Sequence, residues 1–326
     1  MADLSAELFA AAAFAPVAIW LLWRGQTLSV EALRTSLLWM ARARGLRWVY
    51  SIVSWFGTLI HEMSHASVLL LSGHGISQFR VGSERGHVTP TKVKTRGIGM
   101  LSFLVAALAP LFVPPLLVLL ALLFLVDKSL LVLPMAGPGL APALDALKAV
   151  LLEFPARLLH ALSTLDLARW QHAALLALLL LALPGSRPSH VRGSRFHGPG
   201  EGDVPVLRAH IRQHPIPFIL FLLLLYAAYF LTLVLPAAYW VPIGAVWALA
   251  LTGVVLALVG AAWWGLVGLA GRTHPLLGWL GPAAFVAVQV GARTLHPAPD
   301  AAAINLLSLA AWLGVGVVLF LVARRR

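Results

Sequence analysis

There is no cysteine among the 326 residues. That excludes disulfides, thiolate metal sites and cysteine nucleophiles, and it removes the usual clue to redox compartment. Charge is scarce as well: 11% of the residues are charged, against about 25% in a soluble domain. No internal repeat of fixed period is present, and no basic leader opens the chain. The first residues, "MADLSAELF", are acidic where a signal peptide is basic, so no cleaved leader is expected. The net charge of +12 is not accompanied by a basic helix or by aromatic residues interleaved with basic ones, so nucleic acid is not an expected partner.

What is abundant is apolar surface. Hydrophobic residues make up 60% of the chain and the mean hydropathy is +0.89. A bilayer crossing needs about 20 apolar residues. Runs of that kind lie near 5–24, 48–73, 98–126, 168–184, 216–236, 240–270 and 302–323, with a weaker one at 276–294. The expected fold is therefore an all-α polytopic membrane protein with about eight transmembrane helices. The segment 141–164 is too polar to cross and is expected to be broken by Pro155, so it reads as an interfacial helix. "SQFRVGSERGHVTPTKV" alternates weakly around Gly82 and Gly86 and predicts a short β-hairpin over 77–94.

Basic residues collect in particular loops. Arg80, Arg85, Lys92, Lys94 and Arg96 oppose only Glu84 in 74–97, 185–215 nets +3, Arg272 lies in 271–275, and Arg324, Arg325 and Arg326 end the sequence. With eight spans these regions share one side, which the positive-inside rule makes the cytoplasm. The segment 25–47 disagrees, carrying Arg34, Arg42, Arg44 and Arg47 against Glu31. Either 5–24 does not cross, or 28–46 lies on the membrane surface as an amphipathic helix. Residues 1–47 thus form an N-terminal unit, 48–200 a core, and 201–326 a four-span region of unassigned role.

One stretch carries chemistry. "FGTLIHEMSHASVLLLSG" places His61 and His65 four residues apart in an apolar run. On a helix both imidazoles leave the same face and can share one metal ion. Glu62 is rotated by about 100°, able to act on a water without ligating the metal. Two neutral histidines, a Lewis-acidic ion such as Zn2+ and a carboxylate base form the working set of a hydrolytic zinc site. Ionisable side chains inside a membrane default to functional roles because each costs about 2.5–3.5 kcal/mol to insert. Ser54, Gly57, Ser64 and Ser72 are small residues on the same helix that let neighbouring helices approach closely.

"GTLIHEMSH", then "GISQFRV…GHVTPT", then "LSFLVAALAPLF" resembles the site-2 protease family of intramembrane zinc metallopeptidases, above all its small prokaryotic members. The resemblance covers about residues 48–200 and implies an HExxH helix, a membrane-associated hairpin and further core helices. Carried over residue by residue, it makes His61 and His65 zinc ligands and Glu62 the general base. It also implies a membrane-protein substrate in the lipid bilayer and an inner or plasma membrane location with the site opening to the cytoplasm. The family's third ligand, an aspartate in an Asn-Pro…Asp-Gly setting, has no counterpart here. The corresponding place reads "LPGSRPSHVRGSRFHGPGEGDVP". It offers His190 first, then His197 and Asp203, with Asp166 and His172 as donors elsewhere.

Three function classes follow. The first is an intramembrane zinc metalloprotease. The second is a catalytically degenerate metal-binding scaffold or receptor, motivated by the missing aspartate. The third is a proton or metal transporter using His61, Glu62 and His65 as a relay. Oligomeric state and substrate identity are not encoded in any recognisable motif.

Overall fold

A computed structural model describes residues 2–82, 86–91, 98–126, 130, 140–182, 208–209, 211–213, 215–234, 240–273, 275–295 and 300–324. These residues are mostly helical. In chain order they form α1 (Ala2–Arg42), a 3-10 turn (Arg44–Leu46), α2 (Arg47–Leu71), strands β1 (Ile76–Val81) and β2 (Gly86–Pro90), α3 (Ile98–Leu125), α4 (Leu140–Ser163) and α5 (Trp170–Ala182). Four more helices complete them: α6 (Pro215–Val234), α7 (Trp240–Thr273), α8 (Pro275–Leu295) and α9 (Ala301–Arg324).

Among the described residues four helices are long and apolar enough to cross a bilayer, within Val105–Leu125, Ala248–Arg272, Leu276–Leu295 and Ala301–Leu319. This supports a helical membrane protein, but the expected eight spans are not reached. The 13 residues of α5 extend only about 20 Å, short of a hydrocarbon core of about 30 Å. The α2 helix is long enough, with 25 residues, but is diluted by its histidines, Glu62 and serines. Those serines satisfy themselves. Ser51, Ser64 and Ser67 each donate to the carbonyl four residues back, at 3.0, 2.7 and 2.7 Å, so their hydroxyls present little polarity to the surroundings.

Two local expectations change. Residues 28–42 do not form a separate surface helix, because α1 continues unbroken to Arg42. Gln26, Ser29, Leu33, Ser36, Met40 and Ala43 are all buried, and their alternating spacing of three and four is that of a packed helical seam. This seam meets α7, the most extensive helix pairing in the molecule. On α7 the opposing positions are small. A Cβ at Gly265 would lie 2.9 Å from Ser36 Oγ, and one at Gly268 would lie 2.9 Å from the Met40 backbone nitrogen. Ser36 Oγ also donates to the Ala261 carbonyl at 2.8 Å. Likewise Pro155 does not break α4. Phe154 and Leu158, both at 0% exposure, anchor the helix on either side, and their packing outweighs the lost backbone bond.

The hairpin forms as expected, antiparallel, with Val81 opposite Gly86, Arg80 opposite His87 and Phe79 opposite Val88, and with an irregularity between Ile76 and Gln78. Residues 92–94 of the expected span lie outside the described residues. The chain enters β1 through a helix stop in which Gly73 takes φ 73°. The His74 and Gly73 amides donate to the Leu69 and Leu70 carbonyls, both at 2.9 Å, the bonding pattern of a Schellman cap. This turn folds both strands back against α2.

Candidate metal centre

The site is assembled on α2, with the hairpin, α3 and α5 packed around it. His61 and His65 are half-buried, while Glu62 is only 5% exposed and Ser64 is fully buried. The two imidazoles stand nearly perpendicular, with ring centroids 4.7 Å apart. Their Nε2 atoms approach to 3.1 Å.

The second nitrogen of His65 fixes which atom can serve as a donor to metal. His65 Nδ1 lies 2.7 Å from the Ala106 carbonyl oxygen of α3. A carbonyl can only accept, so Nδ1 carries the proton. In the neutral ring Nε2 then presents its lone pair towards His61. That is the arrangement in which a ligating histidine donates its other ring N–H to a backbone carbonyl. Two nitrogens bound tetrahedrally to zinc at about 2.0–2.1 Å would sit about 3.3–3.4 Å apart, close to the spacing found here. The pair therefore fits a shared zinc ion. Without one, His61 Nε2–H can donate to His65 Nε2 across the same gap.

Glu62 is held from the other side by the hairpin. A Cβ placed on Gly86 would come within 2.5 Å of Glu62 Cγ, 2.7 Å of Glu62 Oε1 and 2.8 Å of Thr58 Cγ2. Only a glycine lets β2 approach this closely. Its φ is not positive, so the requirement is for space and not for an unusual backbone.

No third His, Cys, Asp or Glu joins His61 and His65 among the described residues. His190, His197 and Asp203 lie outside the described residues. Asp166 and His172 are described, and both are committed elsewhere. The Asp166 amide donates to His172 Nδ1 at 2.9 Å, and His172 Nε2 donates to the Leu125 carbonyl at 3.1 Å. The Asp166 carboxylate accepts from Arg293 at 2.7 Å and from the Ala168 amide at 3.1 Å, and Arg169 pairs with it at 3.3 Å. These two residues close the α4–α5 turn and do not serve the α2 site.

That turn also receives residues to which no sequence motif assigns a role. Asn305 donates to the Ser163 and Leu165 carbonyls at 2.6 and 2.8 Å, and Gln289 donates to Asn305 Oδ1 at 2.7 Å. Gln289, Arg293 and Asn305 thus fasten α8 and α9 to the core. The signal available in the sequence was three polar residues inside apolar runs. His74 also lacks any sequence signal: it is 3% exposed, and neither ring nitrogen has a partner among the described residues.

Burial pushes the Asp166 carboxyl upward, but the Arg293 hydrogen bond, the Ala168 amide and the charges of Arg293 and Arg169 outweigh it and hold the group below the ordinary aspartate range. A lowered native value means stability that is complete above the unfolded-state value, about 3.9, and that is lost as pH falls through the lower native one. Thermal melts in detergent between about pH 5 and pH 2 should therefore show an acid-side loss that Asp166→Asn flattens. An identical acid limb in the variant would remove this linkage.

No protein-family model, curated protein or solved structure matches this chain.

Proposed function

We propose that this protein is an intramembrane zinc metalloprotease that cuts membrane-protein substrates near the cytoplasmic face. The observation that carries the proposal is the convergence of His61 and His65 Nε2 at 3.1 Å, with the His65 tautomer set by Ala106 and the buried carboxylate of Glu62 one residue from His61. The resemblance of residues 48–200 to site-2 proteases agrees with it.

His61 and His65 would hold the ion, and His190 is the first choice to complete the set, with His197 and Asp203 as alternatives. The α5 helix supports this choice. It packs on α2, and the Leu180 carbonyl in its last turn accepts from Trp264 Nε1 at 3.2 Å, so the helix that precedes His190 in the chain is fixed against the helix that carries His61 and His65. Bound zinc would supply the positive charge that acidifies a water and polarises the scissile carbonyl. Glu62 would be the base that accepts a proton from the attacking water and returns it to the departing amine. Its enclosure by Gly86 and Thr58 limits the directions in which the carboxylate can turn. An unwound substrate segment adds to an edge of the hairpin through main-chain hydrogen bonds; Ser77–Arg80 on β1 are exposed. The basic residues of 74–97 and 185–215 support a cytoplasmic opening for the site.

A second reading, a metal-binding scaffold or receptor without activity, is favoured by the two-histidine donor set among the described residues. Elemental analysis and a cleavage assay separate the two. The assay uses a quenched-fluorophore peptide with one Leu-rich span interrupted by Asn-Pro, which weakens the helix. About one zinc per chain, with cleavage blocked by a zinc-directed hydroxamate, is the expected result. Zinc without cleavage supports the scaffold, and absence of zinc ends both readings.

A further inference from the structure

We propose that Pro110 is a positioning residue for the His65 ligand, acting by withholding a backbone N–H from the Ala106 carbonyl. The role rests on the zinc-binding half of the preceding reading. In an α-helix the carbonyl of residue i accepts from the amide of residue i+4. For Ala106 that residue is Pro110, inside α3, which has no N–H and whose ring crowds the carbonyl four residues back. Ala106 is 3% exposed, and a buried carbonyl needs a donor. The donor supplied is His65 Nδ1–H at 2.7 Å.

The proline thus does two things at one atom. It removes the competitor for the carbonyl and tilts that carbonyl out of the helix, towards α2. The consequence is transmitted through the imidazole, because a proton kept on Nδ1 leaves the Nε2 lone pair facing His61. Pro114 and Pro115 withhold amides in the same way from the Pro110 and Leu111 carbonyls, but no contact of those carbonyls with the histidines is seen among the described residues. Pro115 instead packs its ring near Gly253 of α7, where a Cβ would lie 3.2 Å from Pro115 Cγ. Among the contacts of the described residues, the one that ties an α3 proline to the metal site is at Pro110, through the Ala106 carbonyl.

The test compares zinc affinity, measured by competition with a chromophoric chelator, across backbone variants of the full chain. Pro110→Ala restores the amide and should weaken zinc binding about 10–100-fold, the usual effect of losing a ligand's outer partner. Pro114→Ala should leave it within about threefold of the parent. Lactic acid at position 110 forms an ester with neither ring nor N–H, and it should bind zinc like the parent. Should Pro110→Ala fail to fold, lactic acid at position 107 provides the second variant. It keeps the proline but turns the Ala106 carbonyl into a weaker-accepting ester, and affinity should again fall.

An independent readout uses the metal-free chain. Nitrogen-15 NMR of labelled histidines, with His65 assigned by its loss in His65→Asn, should show the Nδ1–H tautomer in the parent and a shift towards Nε2–H in Pro110→Ala. Unchanged affinity and tautomer in Pro110→Ala, or equal losses for alanine and lactic acid at 110, would overturn the role. A parent chain that takes up no zinc would end the metalloprotease reading instead, and the tautomer measurement would still decide for Pro110.

Discussion

Glu62→Gln is expected to abolish peptide cleavage while leaving about one zinc per chain in place. Glutamine keeps the length and planar shape of the side chain, so it still fits beneath Gly86, where a Cβ would sit 2.7 Å from Glu62 Oε1. What it loses is the ability to accept a proton. General-base catalysis contributes about 10²–10⁴-fold, so the variant's rate should fall by at least that range, to background in most assays. On the proposed reading zinc should stay, because His61 and His65 would be its ligands and Glu62 points about 100° away from His61 around the helix. Elemental analysis and the quenched-span assay on the same preparation give both readouts. Cleavage at more than about a tenth of the parent rate, with zinc present, would remove Glu62 from the chemistry.

Gly268→Leu is expected to destroy the pairing of α1 with α7. The first added atom already meets the Met40 backbone nitrogen at 2.9 Å and Trp39 Cβ at 3.0 Å. Backbone cannot swing aside as a long side chain can, so the two helices must separate. Overpacking a close-packed contact costs about 1–3 kcal/mol, and more where nothing yields. The damage would spread. Met40 and Leu46 are both at 0% exposure, and the 3-10 turn containing Leu46 leads directly into α2. We expect Gly268→Leu to lose its cooperative melt or to aggregate in detergent, and Gly268→Ala to fold with a lowered Tm. A parent-like melt for the leucine variant would show that the helices are not in tight contact.

The parts legible in sequence were those with a local signature. A spacing of four positions, His61 to His65 with Glu62 between, brings the histidines together because helix geometry alone dictates it. The hairpin was legible from alternation and from Gly82 and Gly86. Hydropathy located the apolar helices, yet it could not say where α1 would stop or that residues 28–42 pack inward. Small residues such as Gly265 and Gly268 have little hydropathy signal, and their meaning depends on a partner more than 200 positions away in the chain. A separation of 127 positions likewise hides the Asp166–Arg293 pair, which removes Asp166 from the list of donors. The relation of Pro110 to His65 has no local signature, because it exists only where α2 and α3 lie side by side.

The pairing of the first helix with the seventh also bears on how the chain is made. The inward stripe of α1 carries Gln26, Ser29 and Ser36 as well as its apolar residues, and its surface is not covered until residues 240–273 have been synthesised. Translation delivers α1 before α7, so the nascent polypeptide holds an unmated, partly hydrophilic helix while the elements between them are made. The α1–α7 seam therefore closes only after those elements, and the insertion machinery must shelter α1 until α7 emerges.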